Sequence, residues 1–289
     1  MNIPFLRDDT LVHGEVERIA PGVRRVLCNN PGPFTFRGTN TYLIGGGSSV
    51  AVLDPGPVDE VHLAAILAAT SGERITHILI SHTHRDHSPG AAALQQITGA
   101  ISAGHGPHAT PGESGDHTFN PDVKLVEGVP FASGDWSVTP IFTPGHCANQ
   151  LCFSLDGTGI LFSADHVMSW STSVVSPPDG NMRDFMTSLA KLRAREGQDH
   201  LYLPGHGPKL PDPMPFLDGL SLHRQKREAR IVAALRDGGA MAVPAMVGVV
   251  YGPLDPKLVM AAGRSLLAQL LMLEEDGAAV REGELWRLT

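Results

Sequence analysis

Four side chains of metal-binding type lie within six consecutive positions of this chain. They are His82, His84, Asp86 and His87. Neutral imidazoles and carboxylates are the ligands that Zn²⁺ and similar cations prefer. Without a cation between them, so many of these groups on one short turn would repel each other or remain unsatisfied. The cluster therefore predicts a metal site, and the same argument disfavours the alternative of a polar surface loop with scattered histidines.

This cluster occupies the turn between a predicted strand and a predicted helix. Residues 75–80 are mostly apolar and rich in β-branched side chains, as expected for a buried strand. Ser88-Pro89-Gly90 and the alanines that follow it indicate the start of a helix. A strand-to-helix turn of this kind would present the four side chains together at the end of the strand.

Three further residues of ligand type also follow apolar, strand-like runs. They are His146 after residues 136–142, Asp165 after residues 159–164, and His206 after residues 201–203. Side chains that leave successive strand ends are brought to one edge of a sheet by the fold itself. The repetition makes coincidence a poor explanation and extends the predicted site to seven residues.

Composition and charge limit what the chain can bind. At 289 residues it is long enough for one large domain and a small appendage. Its formal net charge is −8 and its isoelectric point is near 5.9. Residues 216–289 contain equal numbers of acidic and basic side chains, so the whole excess of negative charge lies before them. Broad electrostatic binding of nucleic acid is therefore disfavoured.

The sequence also predicts a cytoplasmic protein that does not enter a membrane. The first nine residues lack the apolar stretch of a secretory signal, and no run of about eighteen apolar residues exists to span a bilayer. Cys28, Cys147 and Cys152 follow no disulfide pattern, which fits a reducing compartment. We expect Cys147 to be a packed small residue, because no basic neighbour would activate its thiol.

The last quarter of the chain predicts a second, smaller domain. Residues 211–215 belong to a proline-rich stretch that indicates a stiff linker between a catalytic domain at 1–210 and a domain at 216–289. Helical patterns cover residues 216–236, residues 244–251 and the stretch from Asp255 to Gly277, and residues 279–288 indicate a β-hairpin. Three helices followed by a hairpin form the winged-helix topology. We expect this tail to shape the cleft or a homodimer contact rather than to bind nucleic acid, because its third helix offers few cations.

Two groups of side chains carry open alternatives. The first predicted helix of the tail holds a basic cluster of Arg224, Lys226, Arg227 and Arg230, which could face an anionic substrate or form a solvated helix face. The loop at 104–120 contains His105, His108 and His117. These histidines could touch a substrate, although solvated loop positions are favoured because loop histidines need no ligand.

Taken together, the motifs resemble those of the metallo-β-lactamase fold superfamily. The resemblance covers roughly residues 15–210 and includes, in order, Asp54, the cluster at 82–87, His146, Asp165 and His206. It implies an α/β fold, a four-layer αββα sandwich with a metal centre at one edge of its two sheets. In this chain the sandwich would be followed by the small winged-helix domain.

The same resemblance implies a role for each residue. A first metal would be held by His82, His84 and His146 and a second by Asp86, His87 and His206, with Asp165 bridging both. Asp54 would support the ligand loops without binding metal. Two divalent cations per chain are expected, with zinc foremost and iron or manganese left open by the ligand types.

Departures from better-known members narrow the resemblance. The lactamases that confer antibiotic resistance often have a cysteine where Asp165 stands, and flavin-linked di-iron reductases have a carboxylate where His84 stands. Glyoxalase II is closer, but its glutathione-binding sequences are missing after Asp165 and His206. The tail then points to the lactamase-β-like subgroup, which includes an animal endoribonuclease and many bacterial hydrolases.

A dinuclear centre of this kind predicts a hydrolase. Two cations lower the pKa of a shared water, and Asp86 would orient the bridging hydroxide for attack. We expect cleavage of an ester, thioester, lactone or amide-type bond in a small substrate, whose binding residues the sequence does not identify. The alternative is an endoribonuclease or phosphodiesterase that uses the same centre.

Overall fold

Two sheets face each other in the computed structural model, which describes residues 3–112 and 115–289. The first sheet contains, in spatial as well as chain order, β1 (Val16–Ala20), β2 (Val23–Leu27), β3 (Asn40–Gly46), β4 (Ser49–Leu53), β5 (Ile75–Leu79), β6 (Ile101–Gly104) and β7 (Val123–Lys124). The second contains β8 (Phe131–Ser133), β9 (Trp136–Phe142), β10 (Leu151–Leu155), β11 (Ile160–Ala164), β12 (Leu201–Pro204) and β13 (Leu210–Pro211). Its spatial order runs from β13 through β12, β11, β10 and β9 to β8.

The layer between the sheets is apolar because alternate residues of each strand point into it. Tyr42 and Leu53 enter it from the first sheet, and Phe153, Phe162 and Leu203 enter it from the second. The rings of Tyr42 and Phe162 meet with their centroids 5.2 Å apart. This shared core fixes the two sheets against each other, so that strand ends from both reach one edge.

Helices cover both outer faces of the sandwich. α1 (Glu60–Ala69) and α2 (Gly90–Thr98) lie on the first sheet, where Ile66 and Leu94 are buried. α3 (Met182–Arg193) lies on the second sheet through Phe185 and Leu189, and the side chain of Asn181 caps its first turn. The predicted four-layer αββα sandwich is therefore confirmed.

The next helix begins inside the stretch predicted to be a linker. Pro211 pairs with Leu201 in β13, and α4 (Pro213–Gly238) begins at Pro213. Residues 211–215 form no extended connection, because prolines fit the first turn of a helix, whose N–H groups have no partner inside the helix. Phe216 and Leu220 of α4 are buried in the same core as α3.

The C-terminal part contains the predicted winged helix. α5 (Val243–Tyr251) and α6 (Pro256–Glu275) pack on α4, and a small sheet holds β14 (Met241–Ala242), β16 (Leu285–Leu288) and β15 (Ala279–Glu282) in that order. Trp286 is buried in this core beside Ile231 and Leu235 of α4. One end of α4 thus belongs to the sandwich core and the other to the winged-helix core. Among the described residues, no helix combines the length and apolar character needed to cross a membrane.

Candidate metal centre

The predicted site residues converge at the edge where the strands of both sheets end. The cluster at 82–87 follows β5, and Asp165 and His206 follow the parallel strands β11 and β12. His146 follows β9. The structure therefore brings together all seven side chains that the sequence selected.

The first ligand group consists of His82, His84 and His146. Nδ1 of His84 lies 3.0 Å from Nε2 of His82 and 3.0 Å from Nε2 of His146. Three imidazole nitrogens cannot all be protonated at such distances, and they converge as they would around a single cation.

The second ligand group consists of Asp86, His87 and His206. Oδ2 of Asp86 lies 3.2 Å from Nε2 of His206 and 3.7 Å from Nε2 of His87. The two groups meet at Asp165: its Oδ1 lies 3.6 Å from Nε2 of His87, and its Oδ2 lies 3.3 Å from His206 and 3.5 Å from Nε2 of His146 in the first group.

Each histidine except His84 turns Nδ1 away from the centre and finds an acceptor there. His146 donates to the carbonyl of Val174 at 2.7 Å, and His206 donates to the carbonyl of Gly38 at 3.1 Å. Such outer contacts fix the tautomer and leave Nε2 free as a ligand. His84 is reversed, with Nδ1 in the centre and Nε2 directed outward.

Asp54 supports the cluster from beneath, as the resemblance implied. One carboxylate oxygen accepts from the backbone N–H of Ser81 at 2.8 Å, and the other accepts from the Ser81 hydroxyl at 2.6 Å and from Nδ1 of His87 at 3.0 Å. Nδ1 of His82 in turn lies 3.0 Å from the Ser81 hydroxyl. One buried carboxylate therefore orients His87 directly and His82 through Ser81.

Glycine is required at position 205, in the turn between β12 and His206. A Cβ atom there would come within 2.3 Å of Oδ1 of Asp165 and 2.8 Å of Cε1 of His87. Only glycine lets the backbone approach the ligands this closely. This explains the Gly in the turn that delivers His206.

The two groups differ in electrostatic character. Burial lowers the pKa of His146 to about 4, and His84 adds to this effect. Burial also opposes a charge on His206, but Asp165 and Asp86 outweigh it and raise the pKa of that imidazole to about 9. His82 and His146 of the first group are therefore neutral imidazoles, whereas His87 and His206 of the second group hold protons that a bound cation would displace.

The buried polar atoms fit a metal. Nε2 of His87 and Oδ1 of Asp165 are both buried and have no hydrogen-bond partner in the described part of the chain. Unpartnered buried polar atoms are costly, and both point into the centre. The donor set of imidazoles and carboxylates is the one that divalent transition metals prefer.

Sequence reasoning missed Asp179, beside His84, and placed the nearby His108 in solvent. Nε2 of His84 lies 3.6 Å from Oδ2 of Asp179, and His108 lies 4.0 Å from Oδ1 of the same carboxylate. His108 is buried and bonds to the hydroxyl of Thr83, so the expectation of a solvated loop residue is wrong for it. His117 is exposed as expected. The available signal for Asp179 was its place in a turn just before the cap of α3.

An aromatic pair stands beside the second group. Phe36 stacks on Trp170 with ring centroids 4.9 Å apart, and Trp170 packs against Gly207, the residue after His206. The backbone of Phe36 has a φ of 56°, a conformation that costs energy for a residue with a side chain. Both rings are partly exposed beside the turn that delivers His206.

The basic cluster on α4 divides into side chains that make contacts within the protein and side chains that are exposed. Arg224 is buried and donates to the carbonyl of Ser173, while Arg227 lies 3.7 Å from the ring centre of Tyr251. Both alternatives left open by the sequence are therefore wrong for Arg224, whereas Arg227 is only partly buried. Lys226 and Arg230 remain exposed.

Comparisons with known proteins agree with this geometry. A family model described as the metallo-beta-lactamase superfamily matches residues 34–206, and a model of the beta-lactamase associated winged helix domain matches residues 242–286. The chain belongs to the metallo-beta-lactamase superfamily. It is an enzyme of hydrolase type within that superfamily.

Two relatives align with nearly the whole length of this chain, through the sandwich and the C-terminal helices. The beta-lactamase-like protein 2 homolog of Caenorhabditis elegans is 30% identical over 274 residues, covering 93% of this chain and 90% of that protein. The atrochrysone carboxyl ACP thioesterase AgnL7 of Paecilomyces divaricatus is 30% identical over 274 residues, covering 91% of this chain and 83% of that protein. The crystal structure of a beta-lactamase domain protein from Burkholderia ambifaria has the same fold, with a TM-score of 0.81 over 97% of this chain and 96% of its own, at 20% identity.

Proposed function

We propose that this enzyme is a dinuclear metal-dependent hydrolase of thioesters. The observation that supports the proposal most is the position of Asp165, whose two oxygens face both ligand groups. A carboxylate placed in this way can be shared by two cations. With a single metal, one of the two ligand groups would have no cation to bind.

In this proposal the seven residues divide as their contacts suggest. His82, His84 and His146 would hold one cation, Asp86, His87 and His206 would hold the other, and Asp165 would be shared between the two. Zinc is the metal we expect, with iron or manganese as the alternatives that suit the same ligands. Two such cations supply water of lowered pKa and polarise a carbonyl oxygen when they are bound.

The chain's own catalytic contribution is assigned to Asp86. Its side chain is 30% exposed, in contrast to the buried His87 beside it, so it borders the open side of the centre. A carboxylate there can accept a hydrogen bond from an attacking water and hold it toward the substrate. Asp54, which is buried beneath the ligands, orients them and does not meet the substrate.

Thioesters are favoured over other acyl substrates by two observations. Several relatives of similar length carry the name atrochrysone carboxyl ACP thioesterase, among them proteins 28% and 30% identical to this chain. The partly exposed aromatic pair Phe36 and Trp170, beside the turn that delivers His206, offers an apolar surface on which an acyl group can pack. Esters, lactones and amides undergo the same attack and remain secondary candidates.

The endoribonuclease alternative has less support. Arg224 and Arg227 are committed to contacts within the chain, and the net charge is −8. Binding of a phosphate backbone depends on several cations that displace counterions. The surface offers few candidates for this role on α4 beyond Lys226 and Arg230.

The test is a comparison of substrates on one metal-loaded preparation. Protein supplemented separately with Zn²⁺, Mn²⁺ or Fe²⁺ is assayed on an S-acyl pantetheine, the matching oxygen ester, a lactone and single-stranded RNA. We expect the thioester to be hydrolysed with the highest kcat/KM, and an Asp165→Ala control to be inactive. Higher efficiency on RNA, or thioester hydrolysis that survives Asp165→Ala, would contradict the proposal.

Cytoplasmic location and a homodimer remain predictions of the same proposal. The three cysteines are free and buried, which suits a reducing compartment. Fractionation of cells and the mass of the purified protein in solution test the two points separately.

A further inference from the structure

The segment of residues 173–179 runs between the candidate metal centre and the C-terminal helices. On one side it contacts two histidines of the first ligand group. The carbonyl of Val174 accepts from Nδ1 of His146 at 2.7 Å, and Oδ2 of Asp179 lies 3.6 Å from Nε2 of His84. That oxygen of Asp179 is buried and has no hydrogen-bond partner among the residues described.

On its other side the segment is tied to α4 and α6. Arg224 donates to the carbonyl of Ser173, and Arg264 donates to the carbonyl of Pro177 at 2.9 Å. The backbone N–H of Val175 donates to the hydroxyl of Ser265 at 3.3 Å. Residues 173, 175 and 177 thus meet the C-terminal helices, while residues 174 and 179 meet metal-ligand histidines.

A buried arginine such as Arg224 lowers stability unless its guanidinium makes contacts that an apolar side chain cannot make. Arg224 is buried, and its Nε has no partner in the described residues. The remaining contacts of its guanidinium are the Ser173 carbonyl and the Phe185 ring, whose centre lies 5.0 Å away. A buried charge without a counterion lowers stability, so an apolar side chain of the same length would pack at lower cost. The hydrogen bond to Ser173 is the feature that an apolar side chain could not make.

The histidines at the other end of these contacts need orientation. A neutral imidazole that offers one nitrogen to a cation carries its proton on the other nitrogen. For His84 the nitrogen in the centre is Nδ1, so the proton lies on Nε2 and the acceptor that faces it is Asp179. Carboxylates and carbonyls in this position raise metal affinity by fixing the ring and its tautomer.

We infer that the C-terminal domain positions the first ligand group through the 173–179 segment. Arg224, Arg264 and Ser265 hold the segment, and the segment holds His146 through Val174 and His84 through Asp179. The inference rests on the metal centre of the proposed function and adds to it a positioning role for residues that lie outside the sandwich.

The test measures metal affinity rather than turnover. Metal-free protein is titrated with Co²⁺ in competition with a chromophoric chelator, which gives two dissociation constants. The variants His146→Ala and His206→Ala assign one constant to each ligand group. The test variants are Asp179→Asn, Arg224→Met and Ser265→Ala, and the matched control is Lys226→Met, an exposed position on the same helix as Arg224.

We expect Asp179→Asn and Arg224→Met to raise the dissociation constant of the first group by about 10- to 100-fold. Ser265→Ala removes one weak contact and keeps a residue that favours a helix. It should also raise the dissociation constant of the first group, but by less than the other two variants. The constant of the second group should change by much less, because its own outer partners, Asp54 and the carbonyl of Gly38, are not in contact with the mutated residues. Lys226→Met should change neither constant.

Equal increases in both constants, or no increase in either, would overturn the inference. Thermal unfolding of the metal-free variants separates a general loss of stability from the selective effect, because a destabilised fold weakens both groups. A selective shift in protein that does not hydrolyse thioesters would leave the inference standing and refute the proposed substrate. Wild-type protein that binds no metal would refute both.

Discussion

The two ligand groups look alike at the centre but rest on different parts of the molecule. The second group is oriented by Asp54 and by the carbonyl of Gly38, both of which belong to the sandwich. The first group is oriented on its outer side by Val174 and Asp179, in a segment that the C-terminal helices hold. On the inference drawn above, a small appended domain contributes to the metal site without supplying a ligand.

The largest effect is expected from removing the C-terminal part after Leu210. Phe216, Leu217 and Leu220 of α4 are buried in the core that also contains α3. Each such side chain contributes about 1.5–3 kcal/mol on burial, so their removal rivals the whole stability of a typical domain. We expect little soluble protein, measured by soluble yield and size-exclusion chromatography.

A truncated protein that stays soluble and retains two metals would contradict the claim that the C-terminal helices support the first ligand group. It would mean that the first ligand group needs no support from outside the sandwich. The full-length protein expressed in parallel is the control for yield and for metal content.

The next effect in size is that of Asp165→Ala, which acts on both groups at once. Its carboxylate is the contact that joins His146 of the first group to His87 and His206 of the second. The loss of metal affinity on removing a ligand should be larger than the loss on removing an outer hydrogen-bond partner, which is about 10- to 100-fold. Elemental analysis should show less than one metal per chain, with turnover abolished. Retention of two metals would show that Asp165 is not shared.

Asp54→Asn should produce a smaller effect that falls mainly on the second group. The amide keeps the size of the carboxylate but directs an N–H group at a hydrogen-bond donor, either His87 or Ser81. We expect the second-group dissociation constant to rise by about 10- to 100-fold, with a weaker change in the first group through His82. Together with Asp179→Asn, this variant gives a reciprocal pair, one for each group. A pattern in which both variants weaken the same group would refute the division.

The candidate ligands could be selected from the sequence because each follows a strand that is itself recognisable. His146, Asp165 and His206 stand directly after apolar runs, and the fold gathers strand ends at one edge. Local sequence patterns were therefore enough to select these three residues and to place them at one edge of the sheet. The role of Asp54 could be expected only through the resemblance, since nothing in its own neighbourhood points to His87.

Residues in loops could not be placed in this way. Asp179 and His108 reach His84 from segments without periodicity, and their positions depend on contacts with residues far away in sequence. The prolines at 213 and 215 suggested a linker because proline suits both a stiff connection and the first turn of a helix. A count of charges could not show that Arg224 is buried, because a backbone carbonyl and an aromatic ring, not an acidic residue, contact it.

The smallest effect is expected from Lys226→Glu, which tests whether the surface of α4 takes part in function at all. Lys226 is exposed, unlike its neighbour Arg224, and it lies on the helix that spans both cores. Charges on the surface are screened over about 10 Å at ordinary ionic strength, so hydrolysis of a neutral thioester should change by less than about twofold. Metal content should be unchanged. If the enzyme instead cleaved RNA, reversing one of the exposed cations of α4 would weaken binding and reduce the slope of log K against log salt by about one for each phosphate that the protein no longer neutralises. RNA cleavage at low salt that collapses in Lys226→Glu, with both metals retained, would reverse the ranking of thioesterase and nuclease.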